Sequence, residues 1–261
     1  MICPHTGGLL TPLDFSEEYA ISQEGVVYYL KARSADYGPD YFLDEYKNQY
    51  GRTYLEDEQA LRKLARKRLD WMKDRFLPGS RVFEIGCAAG FFLDEARKIG
   101  CDVSGVEISE YAAEYSRNNL SLNVTASSFL DAPSDEKYDA VCAFYVLEHF
   151  QNQKEFFQKV SDLLKPGGLF LFAIPSTNGP VFKRNPGLWA DTHPIDHFAD
   201  YSPASLKRIL PLYNLSFLKA RPASYHPERA GFWRHFPFLY RQYSNFFSFG
   251  DTIEAAAQKQ A

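Results

Sequence analysis

The chain has 261 residues, of which 45% are hydrophobic, and its formal net charge at pH 7 is −4. A chain of this size can bury a sizeable core as one domain with elaborations, and its small negative charge argues against wholesale attraction to nucleic acid. No apolar run approaches the roughly 18 residues of a membrane-spanning helix, and no basic-then-apolar leader opens the sequence, so neither a membrane span nor secretion is expected.

The four cysteines, Cys3, Cys87, Cys101 and Cys142, follow no paired spacing. Three of them lie in core-like strand or turn contexts, which predicts reduced thiols and a cytoplasmic location. Cys3 and His5 have the spacing of half a metal-binding knuckle, but the sequence offers no second pair. We therefore predict no metal site there.

The first 58 residues are acidic and rich in tyrosine, and they are predicted to form a helical cap. Tyr46, Tyr50 and Tyr54 are spaced by four, which would place them on one helical face. Residues 59–224 are predicted to form the core, and residues 225–261 an aromatic and basic extension. In the core, strand and helix patterns alternate as in a doubly wound, mostly parallel α/β sheet of Rossmann-like type, with helices on both faces.

The predicted elements of the core follow one another in that alternation. The strands are predicted over 81–85, 102–107, 123–126, 140–145, 169–174 and 215–221. The helices are predicted over 60–76, 91–99, 110–120, 154–164 and 203–210. A further, antiparallel strand is expected near 225–233, or it is missing.

The turn after the first of these strands carries Glu84, Gly86, Ala88 and Gly90. Small residues there would let backbone N–H groups approach a ligand, and the helix that follows would supply partial positive charge. A dinucleotide-binding fingerprint would need a third glycine where this chain has Phe91. The turn therefore predicts a nucleotide-like ligand other than a dinucleotide.

Two carboxylates indicate which ligand. Glu84 would repel a pyrophosphate by roughly 1 kcal/mol or more, and it would attract a cation. Glu107 ends the next predicted strand, where a carboxylate can accept both hydroxyls of a ribose. S-adenosylmethionine carries an ammonium and a sulfonium but no phosphate, so it fits this pair. Alternatively, Glu107 serves only to favour the N-terminus of the helix that starts at Glu110.

Two more motifs follow: Glu148 and His149 after the strand at 140–145, and a Lys-Pro-Gly-Gly turn at 165–168. With the turn at Gly86 and with Glu107, they stand in the order of class I S-adenosylmethionine-dependent methyltransferases, which the chain resembles over 77–175. The resemblance implies that fold and S-adenosylmethionine as cofactor. The tyrosine-rich segment at 37–54 resembles the lid that some small-molecule methyltransferases fold over the cofactor; alternatively it is an ordinary amphipathic helix buried by its rings. The cofactor-binding residues that the family resemblance implies are Glu84, Gly86, Cys87, Ala88, Gly90, Glu107, Ile108, Ser128, Phe129 and Tyr145, with Tyr46 and Tyr50 from the lid.

The chain departs from the family pattern at two places. Ala88 replaces the middle glycine of the turn, a change that is tolerable if its φ stays negative. After the third strand the family often has an aspartate for the adenine amino group. Here Ser128 and the N–H of Phe129 are the candidates, with Asp131 as the alternative.

Three histidines are candidate general bases: His149, and the pair His193 and His197. The pair is similar to a His-x-x-x-His-Phe pattern of ubiquinone-type O-methyltransferases. Acceptor contact and structural hydrogen bonding are both open for these residues. A spacing of four is also compatible with a metal site, but Pro194 argues against a regular helix and the sequence offers no evident third ligand. The sequence-based prediction therefore includes no metal.

The segment from Ser205 to Tyr243 has seven Lys or Arg residues against one acid, Glu228, and many aromatic rings. It is interpreted as an aromatic segment packed on the core, or as a surface for substrate, RNA or anionic lipid. The function predicted for the chain is methylation of a small molecule, with oxygen preferred over nitrogen or carbon. RNA methylation and cofactor binding without catalysis are the alternatives, and the oligomeric state is not predicted.

Overall fold

A computed structural model describes residues 1–34, 47, 51–133 and 135–261. Tyr46 and Tyr50 lie outside these residues, so their place in a lid stays a prediction. The strands are β1 (Thr11–Leu13), β2 (Ser16–Ile21), β3 (Val27–Tyr29), β4 (Arg81–Ile85), β5 (Asp102–Glu107), β6 (Asn123–Ala126), β7 (Tyr138–Phe144), β8 (Leu164–Pro175), β9 (Ala199–Asp200), β10 (Leu215–Pro222) and β11 (Thr252–Lys259).

The helices of the described residues occupy the connections between these strands. They are α1 (Glu58–Trp71), α2 (Phe91–Lys98), α3 (Glu110–Leu120), α4 (Gln153–Leu163), α5 (Pro180–Arg184), α6 (Pro186–Asp191), α7 (Pro203–Ile209) and α8 (Pro237–Phe247). Short 3-10 turns occur at Lys73–Arg75, Leu147–His149, Leu210–Tyr213, Pro227–Arg229 and Gly231–His235. Each of the described helices is too short or too polar to cross a bilayer.

A seven-stranded sheet has the strand order β10-β11-β8-β7-β4-β5-β6. β4 pairs in parallel with β5 and β7, β5 pairs in parallel with β6, and β10 and β11 pair antiparallel. The predicted mostly parallel α/β sheet is confirmed. The last strand was expected near 225–233, and that position is wrong, because β11 begins only at Thr252.

The chain divides into two compact units. The first comprises Met1–Ser34, Phe144–Ser161 and Leu171–Gln260, and the second comprises Ala35–Ala143, Asp162–Phe170 and Ala261. In the first unit, β1, β2, β3 and β9 form a second, four-stranded sheet. The expected helical cap is therefore absent from residues 1–34, which form strands; the aromatic and β-branched residues of β3 favour that structure.

In the second unit, α1 packs on α2 through ion pairs. Arg62 reaches Asp94 at 2.6 Å and Glu95 at 2.9 Å, and Arg66 reaches Glu95 at 2.9 Å. α2 is buried along its first six residues, so these carboxylates need the arginines of α1 as partners. The pairs fix α1 against the helix that starts directly after the glycine-containing turn.

All four cysteines are free and buried. The Cys3 thiol lies 3.4 Å from the Tyr28 hydroxyl, and the His5 ring bonds the hydroxyls of Tyr213 at 2.7 Å and Tyr201 at 2.9 Å. Burial lowers the pKa of His5 to about 4. The Cys3 and His5 side chains thus belong to a buried polar network that joins the N-terminus to the rest of the first unit.

Candidate active site

The turn between β4 and α2 has a left-handed backbone at three positions. Gly86, Ala88 and Gly90 have φ values of 65°, 48° and 80°. The condition under which the sequence analysis calls Ala88 tolerable, a negative φ, is therefore not met. An alanine in this conformation costs about 1–2 kcal/mol, and the hydrogen bond that its N–H donates to Glu107 holds it there.

Four N–H groups of this turn are already bonded inside the protein. They are Gly86 N and Cys87 N to Val106 O (2.8 and 3.2 Å), Ala88 N to Glu107 Oε2 (2.8 Å), and Gly90 N to Cys87 O (2.8 Å). The expectation that these donors close on a ligand is wrong. A phosphate would need such donors, whereas the ammonium and ribose hydroxyls of S-adenosylmethionine need acceptors, so the turn suits this cofactor.

Glu107 holds the two turns that flank it. Its Oε2 accepts from Ala88 N, and its Oε1 accepts from Ser109 N at 2.8 Å, at the N-terminus of α3. Burial raises the pKa of Glu107, and the bonds from backbone N–H groups oppose that rise. A carboxylate offers about four lone-pair sites, more than these backbone N–H groups use, so the helix-terminus role and the ribose role are compatible.

Glu84 is buried in β4 rather than open to solvent, with 4% of its surface exposed. Burial raises its pKa well above the usual range, the charge of Arg68 lowers it, and the charge of Glu107 raises it again. Its Oε2 has no hydrogen-bond partner among the described residues. A buried carboxylate oxygen without a partner is costly, and a bound ammonium would satisfy it.

The other predicted cofactor residues of the second unit differ in whether their side chains are buried or exposed. The Cys87 side chain packs in the core with Leu93 and Leu122, and burial raises its pKa well above the usual range, so the thiol is not placed to touch a ligand. Ile108, next to Glu107, is 52% exposed. The Phe129 ring is buried against Phe83, which leaves the Phe129 backbone for the predicted adenine contact.

Gly90 and Gly79 allow a matched test of crowding in the turn. Both have a φ close to 80°, but a Cβ on Gly90 would lie 2.5 Å from Leu122 Cδ1, whereas a Cβ on Gly79 would meet nothing within 4 Å. We expect Gly90→Ala to lower the free energy of unfolding by about 1–3 kcal/mol more than Gly79→Ala, because overpacking adds to the shared backbone strain. Urea unfolding of both variants measures the difference, and equal losses would contradict a tightly packed turn.

The three predicted histidines lie together in the first unit. The His149 and His197 rings are 4.8 Å apart, and those of His193 and His197 are 5.5 Å apart. Two aspartates that the sequence analysis did not select complete the group, because Asp196 pairs with His149 at 3.0 Å and Asp200 pairs with His193 at 2.7 Å. Each aspartate stands three residues after a histidine of the pair, a spacing that could have drawn attention to them.

His193 is enclosed by aromatic rings. Its side chain is 2% exposed, and the rings of Trp189, Tyr29 and Tyr19 lie 4.6, 5.3 and 5.4 Å from it. Such packing together with the bond to Asp200 favours the structural alternative for His193 over direct contact with an acceptor.

The pKa values of His149 and His197 are shifted in opposite directions. Burial disfavours the charged form of His149, but its hydrogen bond with Asp196 and the charge of Glu148 outweigh burial and raise its pKa. Burial lowers the pKa of His197 to about 4, so His197 is neutral at pH 7. An imidazole oriented by a carboxylate is the arrangement that general bases use, and His149, whose side chain is 17% exposed, has this arrangement.

The same side chains could hold a metal ion. Glu148, His149 and His197 form one group, and His193, His197 and Asp200 form another, with the ligand atoms of each group within 4.8 Å of one another. The third ligand that the sequence did not reveal is thus supplied from outside the histidine pair. Glu148 Oε2 and His197 Nδ1 have no hydrogen-bond partner among the described residues, and such donors suit zinc and similar cations.

Glu148 should make stability fall as the pH rises. Burial raises its pKa from 4.5 to about 7, so the folded state binds more protons than the unfolded state between these values. The free energy of unfolding therefore loses about 3 kcal/mol from this group across that window. We expect Glu148→Gln to remove that loss, so that its stability relative to wild type increases from pH 5 to pH 8. A difference that does not change with pH, measured by chemical denaturation, would contradict the raised pKa.

Tyr145 occupies a strained position directly after β7. Its φ is 59°, which is unusual for a bulky residue, and 39% of its surface is exposed. The Tyr145 N–H donates to Ala173 O at 2.7 Å, which fixes the backbone there. Strain of this kind is common in binding sites, and the cofactor contact assigned to Tyr145 stays a prediction.

Comparison with known proteins gives the family. The sequence model of a protein family described as a methyltransferase domain matches residues 54–220, well over half of the chain. The ubiquinone biosynthesis O-methyltransferases of Dictyostelium discoideum (mitochondrial) and Azoarcus sp. (strain BH72) are 31% and 28% identical to it, each over 119 residues. These matches cover 39% and 42% of this chain but only 37% and 51% of the relatives.

A solved structure with a similar fold is the magnesium protoporphyrin IX methyltransferase (ChlM) of Synechocystis PCC 6803 with bound S-adenosylhomocysteine. Its TM-score is 0.59 at 15% identity, over 85% of this chain and 97% of that one. The same enzyme was also solved with S-adenosylmethionine bound. The carboxylates at β4 and β5 and the match over 54–220 lead to one conclusion: the chain belongs to the methyltransferase domain family, as a class I S-adenosylmethionine-dependent methyltransferase.

Proposed function

We propose that this methyltransferase acts on a hydroxyl group of a small molecule. The observation that carries the proposal is the His149–Asp196 pair, at 3.0 Å, beside the neutral His197. A base is needed when the acceptor is a hydroxyl and is dispensable for an unprotonated amine. The two relatives are both ubiquinone biosynthesis O-methyltransferases, which agrees with an oxygen acceptor.

Different residues of the chain bind the cofactor and accept the proton. Bound S-adenosylmethionine supplies an already activated methyl group. Glu107 holds the ribose, Glu84 compensates the ammonium, and Ile108 covers the adenine with an apolar side chain. His149, oriented by Asp196, takes the proton of the acceptor hydroxyl.

Residues 1–58 are proposed to serve as a cap, with Tyr46 and Tyr50 over the cofactor. Support comes from Tyr54, whose ring stacks on Phe91 at 5.7 Å and 7°, next to the turn after β4. The core is proposed to be 59–224, close to the residues that the family model matches. The extension at 225–261 is proposed to have a separate role.

An acceptor panel tests the proposal. Methyl transfer from radiolabelled S-adenosylmethionine would be measured to phenols and catechols, to matched anilines and amines, and to total RNA. We expect transfer to the hydroxyl compounds that increases with pH. Transfer to RNA or to amines alone would replace the proposed acceptor class without affecting the family assignment.

Metal analysis of the purified protein tests the alternative role of the histidine cluster. Stoichiometric zinc or another divalent ion, with activity lost on chelation and restored by the ion, would assign acceptor activation to a metal at Glu148, His149 and His197. Full activity after chelation supports His149 as a base without metal.

A further inference from the structure

The segment from Gly231 to Phe247 exposes large apolar side chains. Phe232, Phe238 and Phe246 are 69%, 71% and 82% exposed, and Phe236, Leu239 and Phe247 are between 43% and 54% exposed. The interpretation of residues 205–243 as an aromatic segment packed on the core is therefore wrong for the four of these side chains that lie in that range, Phe232, Phe236, Phe238 and Leu239. We call all six apolar side chains, together with Arg234 and Arg241, the aromatic-basic face.

Helix α8 carries five of the eight residues of this face. Its buried side is formed by Tyr240 and Ser244. Phe238, Gln242 and Phe246 are spaced by four, so they form a stripe on the opposite side. One side of this helix is buried against its own unit, and its other side still exposes phenylalanines. An exposed apolar side of this kind indicates a surface for interaction with a partner or a membrane.

The charge around these rings is positive. Arg234 and Arg241 are exposed, and the Arg184 guanidinium lies against Gly231, where an added Cβ would be 2.3 Å from Arg184 Cζ. The nearby acids, Glu228 and Asp251, are both engaged with Arg229, at 3.8 and 3.5 Å. The face thus combines rings and an aliphatic side chain with arginines whose charge these acids do not cancel.

We propose that the aromatic-basic face docks the protein on an anionic lipid bilayer, with α8 lying in the interface. Exposed Phe and Leu side chains enter the boundary between headgroups and acyl chains, and arginines beside them pair with lipid phosphates. This combination distinguishes the face from a purely electrostatic surface, which would need no exposed Leu239 or Phe246. The docking is independent of the acceptor and of the proposed O-methylation.

Vesicle flotation tests the docking. The full chain would be mixed with vesicles of phosphatidylcholine alone, or of phosphatidylcholine with 30% phosphatidylglycerol (roughly the anionic share that attracts basic segments). We expect binding to the anionic vesicles, at least tenfold weaker binding for the Phe238→Ser/Phe246→Ser double variant, and severalfold weaker binding for Arg234→Gln. Both Phe side chains are exposed, so the variant should keep the wild-type melting temperature.

Matched controls lie on other surfaces of the same unit. Leu9 is 80% exposed and Lys31 is exposed, so Leu9→Ser and Lys31→Gln likewise replace one exposed apolar and one exposed basic side chain outside the face. These controls should bind vesicles as the wild type does. Two results would overturn the proposal: no binding of the wild type to anionic vesicles, or an equal loss of binding in the controls. If the wild type does not bind vesicles and the serine variant abolishes dimerisation or RNA binding, the face binds a second copy of the chain or RNA instead.

Discussion

His149→Gln is expected to lower kcat by about 100- to 10,000-fold, the usual contribution of a general base, while the dissociation constant for S-adenosylmethionine stays within twofold. Glutamine keeps a polar side chain of similar reach but cannot take up the acceptor proton. Steady-state kinetics with a hydroxyl acceptor and calorimetry with the cofactor measure the two effects separately. His226→Gln is the matched control, because His226 also pairs with a carboxylate, Glu228 at 2.9 Å, but in an exposed place.

The pH profile separates this role from a structural one. A base acts when it is neutral, and the pKa of His149 lies above 6.5, so the rising limb of kcat/KM should lie above pH 6.5. Asp196→Asn removes the hydrogen-bonded carboxylate that raises this pKa, and the limb should move to lower pH. Should His149→Gln retain both its turnover and the wild-type limb, His149 would return to a structural role and another group would have to accept the proton.

The central strands could be predicted from the sequence because their local patterns and their tertiary environment agree. β5, β6 and α3 have the predicted bounds, with caps and apolar residues that point to the same structure. β11 could not be predicted, because Ala255, Ala256 and Ala257 favour a helix in isolation and form a strand only through burial and pairing with β10. Where propensity and tertiary context conflict, the pattern alone does not decide.

The same distinction holds in the site. The acids at 84 and 107 were found from their positions at strand ends, but the sequence could not show that Val106 and Glu107 take up the N–H groups of the turn. Nor could the sequence show that Asp196 would pair with His149 and Asp200 with His193. Such partners depend on which chain segments meet after folding, and the local spacing contains only part of that information.

Glu107→Ala is expected to weaken S-adenosylmethionine binding at least tenfold, which is about 1.4 kcal/mol. The loss should exceed about 100-fold if both ribose hydroxyls are held, since each charge-assisted bond contributes about 1.5–3 kcal/mol. The variant also leaves the N–H groups of Ala88 and Ser109 without their acceptor, so the melting temperature should fall as well. Calorimetry with S-adenosylmethionine and thermal unfolding without it measure both effects.

Two further variants assign the loss to the ribose. Glu107→Gln keeps one acceptor oxygen and should bind the cofactor with intermediate affinity, whereas Glu114→Ala removes an exposed acid of α3 and should match wild type. Adenosine and 2′,3′-dideoxyadenosine complete the design: wild type should prefer adenosine at least tenfold, and Glu107→Ala should bind both alike. If wild type itself shows no such preference while Glu107→Ala is destabilised, the carboxylate serves the turn and the start of α3 alone, and the ribose must be bound by other residues.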